Sequence, residues 1–124
     1  MFEKKELPAN YIDRAEEIMA SGEFKDLTSS KIRNLLSMVN EIYNDEINNK
    51  GNARLTSGSV ANLARMRVRL VYEAGRDDTV KKFVEKCKLL EYIKGVGDDL
   101  NKFFAFSQYM EALVAYHRYF AEKE

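Results

Sequence analysis

The 124 residues hold 20 lysines and arginines against 20 aspartates and glutamates, for a formal net charge of zero. No global field therefore draws the chain to nucleic acid, which counts against a generic DNA-coating protein; any such attraction has to be local. Length and a 45% apolar content fit one domain over residues 1–124 with a core of its own, and a single cysteine, Cys87, excludes an internal disulfide framework and fits a reducing compartment.

The opening residues Met1 to Glu6 contain no apolar h-region of the kind a signal peptide needs. No uncharged apolar run in the chain approaches membrane-spanning length, so the expectation is a cytoplasmic protein without a membrane partner. Long patterns of 3.6-residue period with one proline predict an all-α fold: a bundle of about five helices closed by a long aromatic C-terminal helix. Pro8 and a cap at Asn10 start the first helix, Tyr11 to Ala20, which stops at Ser21 and Gly22. Its surface is acidic (Asp13, Glu16, Glu17), and it is expected to pack across the bundle rather than form its centre.

The second helix carries a clean apolar stripe of Ile32, Leu35, Leu36, Val39, Ile42, Tyr43 and Ile47. Its start runs against the helix dipole, because Lys31 and Arg33 stand in the first turns, where acids are favoured. Thr28, Ser29 and Ser30 precede them, so hydroxyls, free backbone N–H groups and two cations form a candidate phosphate cradle. An ordinary Thr/Ser cap with two solvated bases is the alternative; the charge placement favours an anion. Residues 48–58 then lack periodicity and are rich in Asn, Gly and Ser, which predicts a mobile loop whose bases Lys50 and Arg54 are free to order on a ligand.

The third helix, capped by Ser57 or Ser59 and closed by Gly75, is the most informative stretch. Arg65, Arg67, Arg69 and Arg76 are half of the arginines in the chain, and no carboxylate lies between Glu46 and Glu73. Phasing at 100° per residue puts Val60, Leu63, Ala64, Leu70, Val71 and Ala74 on one face, with Arg65 and Arg69 opposite, beside Asn62 and Tyr72. Arg67 then projects from the middle of the apolar stripe. A charge there has to be paired, or has to emerge where the core ends and a partner begins. Two readings stay open: a buried ion pair behind a solvated face, or a row of guanidinium groups aimed at a polyanion.

Asp77, Asp78 and Thr79 start a fourth helix with Val80, Phe83, Val84, Cys87 and Leu90 inward, and Gly95 to Gly97 ends it. Leu89, Tyr92 and Ile93 fall off that stripe, which predicts a second contact at the end of the helix. Asp98 and Asp99 cap the last helix, about Leu100 to Ala121, whose seven aromatics are half of those in the chain. Apolar on nearly all sides, it is expected at the bundle centre or in a subunit interface.

Catalytic and metal signatures are missing. His117, the only histidine, sits among aromatics, where packing or capping is its expected role. Cys87 lies on an apolar stripe, where a thiol is inert. No Cys/His cluster has metal-ligand spacing, and the two Asp pairs stand where caps belong. No enzyme, metal or cofactor is expected.

Three segments in order carry a resemblance: Thr28 to Leu36, Val68 to Arg76, and Tyr109 to Tyr116. Together they resemble the small α-helical subunit of the type III-A CRISPR effector, the Csm complex, with the likeness running from about Thr28 to the C-terminus. The resemblance implies a structural subunit without catalytic activity, present in several copies along a ribonucleoprotein filament. It further implies contact with the backbone of guide RNA and target RNA, and with other Csm subunits. Carried over by position, the RNA-binding residues are Lys31, Arg33, Arg67, Arg69 and Arg76. Arg65, Lys50 and Arg54 align with nothing in the family and rest on local charge alone. Backbone contact suits such a scaffold, since base pairing supplies sequence while protein cations supply register. The rival reading is a helical adaptor or homodimer whose aromatic C-terminal helix does the binding. A helix-turn-helix DNA regulator is disfavoured, because the arginine helix is too apolar on its stripe to lie alone in a major groove.

Overall fold

The computed structural model describes residues 2–49 and 52–120. Over them the chain runs α1 (Tyr11–Ala20), α2 (Ser29–Glu46), a 3-10 turn (Ile47–Asn49), α3 (Ser57–Arg76), α4 (Asp78–Lys86), α5 (Leu89–Val96) and α6 (Leu100–Phe120). The fold is the all-α bundle expected. Lys50, Gly51 and Ala121, which the sequence reading placed in the loop and in the last helix, lie outside the described residues.

The last helix is the centre of the bundle because apolar side chains leave it in several directions. Leu100, Phe103, Phe106, Tyr109, Met110 and Leu113 are all buried, and α1, α2 and α5 all pack against α6. His117 is buried too, and its Nε2 lies 2.7 Å from the Leu27 carbonyl oxygen in the α1–α2 connection.

The fourth helix expected from the sequence is two helices. Lys88 takes a left-handed conformation (φ 55°) between α4 and α5, a backbone cost of about 1–2 kcal/mol for a non-glycine residue. Burial explains the break. In one continuous helix Leu89 would stand about 180° from Val80, yet both are buried against the same core. Turning the chain at Lys88 brings Leu89, Ile93 and Val96 inward, which offsets the local strain.

The boundaries of the arginine helix also shift. Thr56, rather than Ser57 or Ser59, is the N-cap, with its side chain accepting from the Ser59 N–H. Gly75 lies inside α3, and the helix ends at Asp77 (φ −146°, ψ 111°), which in turn caps α4 by accepting from the N–H groups of Thr79 and Val80. The described part of the 48–58 segment is tied down rather than mobile. Leu55 N–H donates to the Asp98 carbonyl at 2.8 Å, Leu100 N–H donates to that of Ala53 at 3.1 Å, and Arg54 pairs with Asp98 at 2.6 Å. These partners are over forty residues away in sequence, where local periodicity cannot register them.

Candidate nucleic-acid interface

The rotation of α3 about its own axis decides where its arginines point. Ser59, Leu63, Met66, Leu70 and Ala74 are its buried residues, whereas Val60, Ala64 and Val71 are exposed. The buried face is therefore turned about 60° toward Met66 from the face that hydropathy alone selects. Arg67 consequently leaves the centre of the stripe for its edge and is half-buried. The expectation of an arginine in mid-core is corrected, and so is that of a buried ion pair: no carboxylate among the described residues comes within salt-bridge distance of Arg67.

The arginines divide between two flanks of α3. On the flank toward α2, Lys31, Arg69 and Arg76 share a groove of about 530 Å³ with Glu41, Glu73 and Asp77. Its charges balance. Glu73 lies 3.9 Å from Arg69 and 3.7 Å from Arg76, and Lys31 is bonded directly to Asp77. The Lys31 hydrogen bond, with help from the Thr79 and Val80 N–H groups, holds the Asp77 carboxyl below its ordinary range. Arg76 also lies over the Tyr72 ring, 5.6 Å from its centroid. Part of the positive charge seen in the sequence is thus neutralised by acids that follow it in the chain.

The other flank has no such compensation. Between α3 and α5 a groove of about 240 Å³ is lined by Lys4, Arg67 and Lys94 over Val60, Ala64 and Ile93, and no carboxylate lines it. Lys4 comes from the segment ahead of α1, and Lys94 from the last turn of α5. Neither was a candidate in the sequence, because both become neighbours of Arg67 only through tertiary packing.

Arg33 joins neither groove. It lies about 200° around α2 from Lys31, in the row of Leu36 and Tyr43, whose ring packs on Phe104 of α6. Among the described residues its guanidinium makes only a long bond, 3.4 Å, from Nε to the Ser29 carbonyl. The start of α2 is capped conventionally, with Thr28 Oγ1 accepting from the Lys31 N–H. Arg65 faces solvent and donates to Asn62 Oδ1 at 2.8 Å. The five candidates thus fall into a balanced groove (Lys31, Arg69, Arg76), an uncompensated groove (Arg67) and an isolated position (Arg33).

Two exposed apolar surfaces accompany the charges. Val68 and Tyr72 on α3 are 70% and 60% exposed, and Tyr119 near the end of α6 is 80% exposed. Among the described residues there is no group of three or more His, Cys, Asp or Glu side chains arranged to hold a metal ion, and no helix long and apolar enough to cross a membrane.

Comparison with known proteins agrees over nearly the whole chain. The family model described as Csm2 Type III-A matches residues 5–123. The CRISPR system Cms protein Csm2 of Mycobacterium tuberculosis is 37% identical over 118 residues, covering 93% of this chain and 94% of that protein. The protein of the same name from Streptococcus thermophilus is 36% identical over 121 residues, with the same coverage of 93% and 94%. That from Enterococcus italicus is 33% identical over 99 residues, covering 78% of this chain and 70% of its own length.

Proposed function

This chain belongs to the Csm2 family of type III-A CRISPR systems, and from that premise we propose that it is a non-catalytic, RNA-binding structural subunit of the interference complex. In this reading it works in the cytoplasm, in several copies, beside guide RNA, target RNA and the other Csm subunits. The observation that carries the RNA contact is the Arg67 groove, which three cationic residues line and no carboxylate does. A cluster of this kind recognises phosphate by charge and leaves the bases unread. Lys31, Arg69 and Arg76 reach phosphate only by giving up Asp77 and Glu73, so each contributes less than Arg67. Arg33, free of any acid among the described residues, is a separate contact.

The absence of a catalytic role is supported by the two side chains that chemistry would otherwise use. Burial pushes the Cys87 thiol far above its ordinary range, and the His117 ring is fixed on the Leu27 carbonyl.

Titration of the purified chain with unrelated single-stranded RNAs at several salt concentrations tests the reading. Binding should be weak and indifferent to sequence, with log K falling linearly in log salt by about 0.7 per phosphate contact. Affinity that ignores salt, or that separates the sequences strongly, contradicts backbone contact. A second reading, a protein adaptor, is favoured by the exposed Val68, Tyr72 and Tyr119; it prevails if RNA binding is absent while other Csm subunits still bind this chain.

A further inference from the structure

Lys4 reaches the Arg67 groove from outside the helices. The segment ahead of α1 crosses α5 as a non-helical arm. Lys5 N–H donates to the Glu91 carbonyl at 3.1 Å, and Lys94 Nζ donates to the Phe2 carbonyl at 2.7 Å. Farther along, Glu6 pairs with Lys102 of α6 at 2.7 Å. The crossing point is Gly95. A Cβ at that position would stand 1.9 Å from the Lys5 carbonyl oxygen and 2.8 Å from its carbon, so no other residue fits beneath the arm without moving backbone. The helix cannot be the part that yields, because Leu89, Leu90, Ile93 and Val96 fix α5 in the core. The arm is exposed from Phe2 to Glu6 and has to shift instead.

We propose that this arm is part of the RNA site: Lys4 and Lys94 complete, around Arg67, a pocket for a backbone phosphate between α3 and α5, and Gly95 is the positioning residue that lets the arm lie there. The proposal rests on the RNA-binding reading above. Its ligand follows from the shape and charge of the groove. Three cations and no acid suit the dense charge of a phosphodiester, and an apolar floor of Val60, Ala64 and Ile93 suits the adjoining sugar face. At about 240 Å³ the groove is short, which disfavours an acidic helix about 10 Å across. Lys94 spends one of its three donors on Phe2 and keeps the others for phosphate. Displacing the arm thus removes Lys4 and also releases Lys94.

The test is the salt dependence of RNA affinity for the full chain and its variants, with the melting temperature measured beside it. Arg67→Ala and Lys4→Ala should each flatten the log–log slope by about 0.7. Gly95→Ala should flatten it at least as much as Lys4→Ala, and adding Lys4→Ala to Gly95→Ala should change nothing more. If Gly95→Ala lowers stability, deletion of residues 2–6 reads the same effect with the glycine intact. A flatter slope in Arg67→Ala with no change in Lys4→Ala, Gly95→Ala or the deletion overturns the arm proposal and leaves the RNA reading standing. No change in Arg67→Ala takes the Arg67 groove out of the RNA interface and the arm proposal with it, whereas the absence of salt-dependent binding by the unaltered chain removes the RNA reading itself. Polyglutamate serves as the protein-like probe; if Lys4→Ala weakens its binding and spares that of RNA, the groove docks a protein segment and the proposal falls.

Discussion

Ser59, in the first turn of α3, donates its hydroxyl hydrogen bond to Glu46, the last residue of α2, at 2.7 Å with both side chains buried. Thr56 Oγ1 donates to the same carboxylate at 2.8 Å, Thr56 N–H at 3.2 Å and Asn49 Nδ2 at 2.8 Å. Burial alone would raise this carboxyl, but the hydrogen bonds from Ser59, Thr56 and Asn49 outweigh it and hold the group below its ordinary value. The carboxylate therefore fixes where α3 begins, and with that the rotation that carries Arg67 to the edge of the core.

Glu46→Ala leaves those donors without an acceptor and should cost about 2–4 kcal/mol in urea denaturation. The pH dependence follows from the sign of the shift. The folded group is the stronger acid, so its contribution is present above the unfolded value near 4.5 and is lost as pH falls through the lower folded value. The stability gap between the wild type and Glu46→Gln should be flat near neutral pH and close under acid. A gap that persists unchanged to pH 3 contradicts the account.

Glu73 restrains two candidate contacts at once. Glu73→Gln frees Arg69 and Arg76 and should raise RNA affinity while steepening its salt slope. Both pairs are long and partly solvated, so folding stability should change by less than about 1 kcal/mol. Unaltered RNA affinity would remove Arg69 and Arg76 from the interface.

His117 is a structural tie. A carbonyl can only accept, so the Leu27 contact requires a proton on Nε2. His117→Ala orphans that buried carbonyl and opens a cavity beside α6, for a loss of about 2–4 kcal/mol. Thermal melts should show it, whereas the salt slope of RNA binding per folded molecule should stay as it was.

Cys87 is buried, with its thiol raised far above the ordinary range by desolvation. A thiol-modifying reagent at neutral pH should label it only as fast as the protein opens, and at the normal rate in denaturant. Rapid labelling of the native protein would show that α4 and α5 do not close over it.

Helix positions, the central α6 and the two Asp caps were legible in the sequence because each rests on local period or local hydrogen bonding. The rotation of α3 was not. Met66 and the polar Ser59 are buried by what lies against them, while the apolar Val60 and Val71 are left outside, and a hydropathy wheel cannot weigh that difference. The break at Lys88 did leave a trace, since Leu89 and Ile93 were already out of phase with Val80. Of the candidate site, Lys31, Arg33, Arg67, Arg69 and Arg76 were visible, but Lys4 and Lys94 were not, and neither was the neutralisation: Arg54 meets Asp98 and Lys31 meets Asp77 across long stretches of chain. Gly95 reads in sequence as a helix terminator, and only the crossing arm shows why a glycine stands inside α5.

Crosslinking of RNA to protein in the assembled type III-A complex, followed by identification of the RNA-bearing peptides, tests the central claim most directly. The account predicts RNA-linked peptides from α3 around Arg67 and from the arm that carries Lys4. Abundant RNA-linked peptides from the other subunits, with none from this chain, would contradict it.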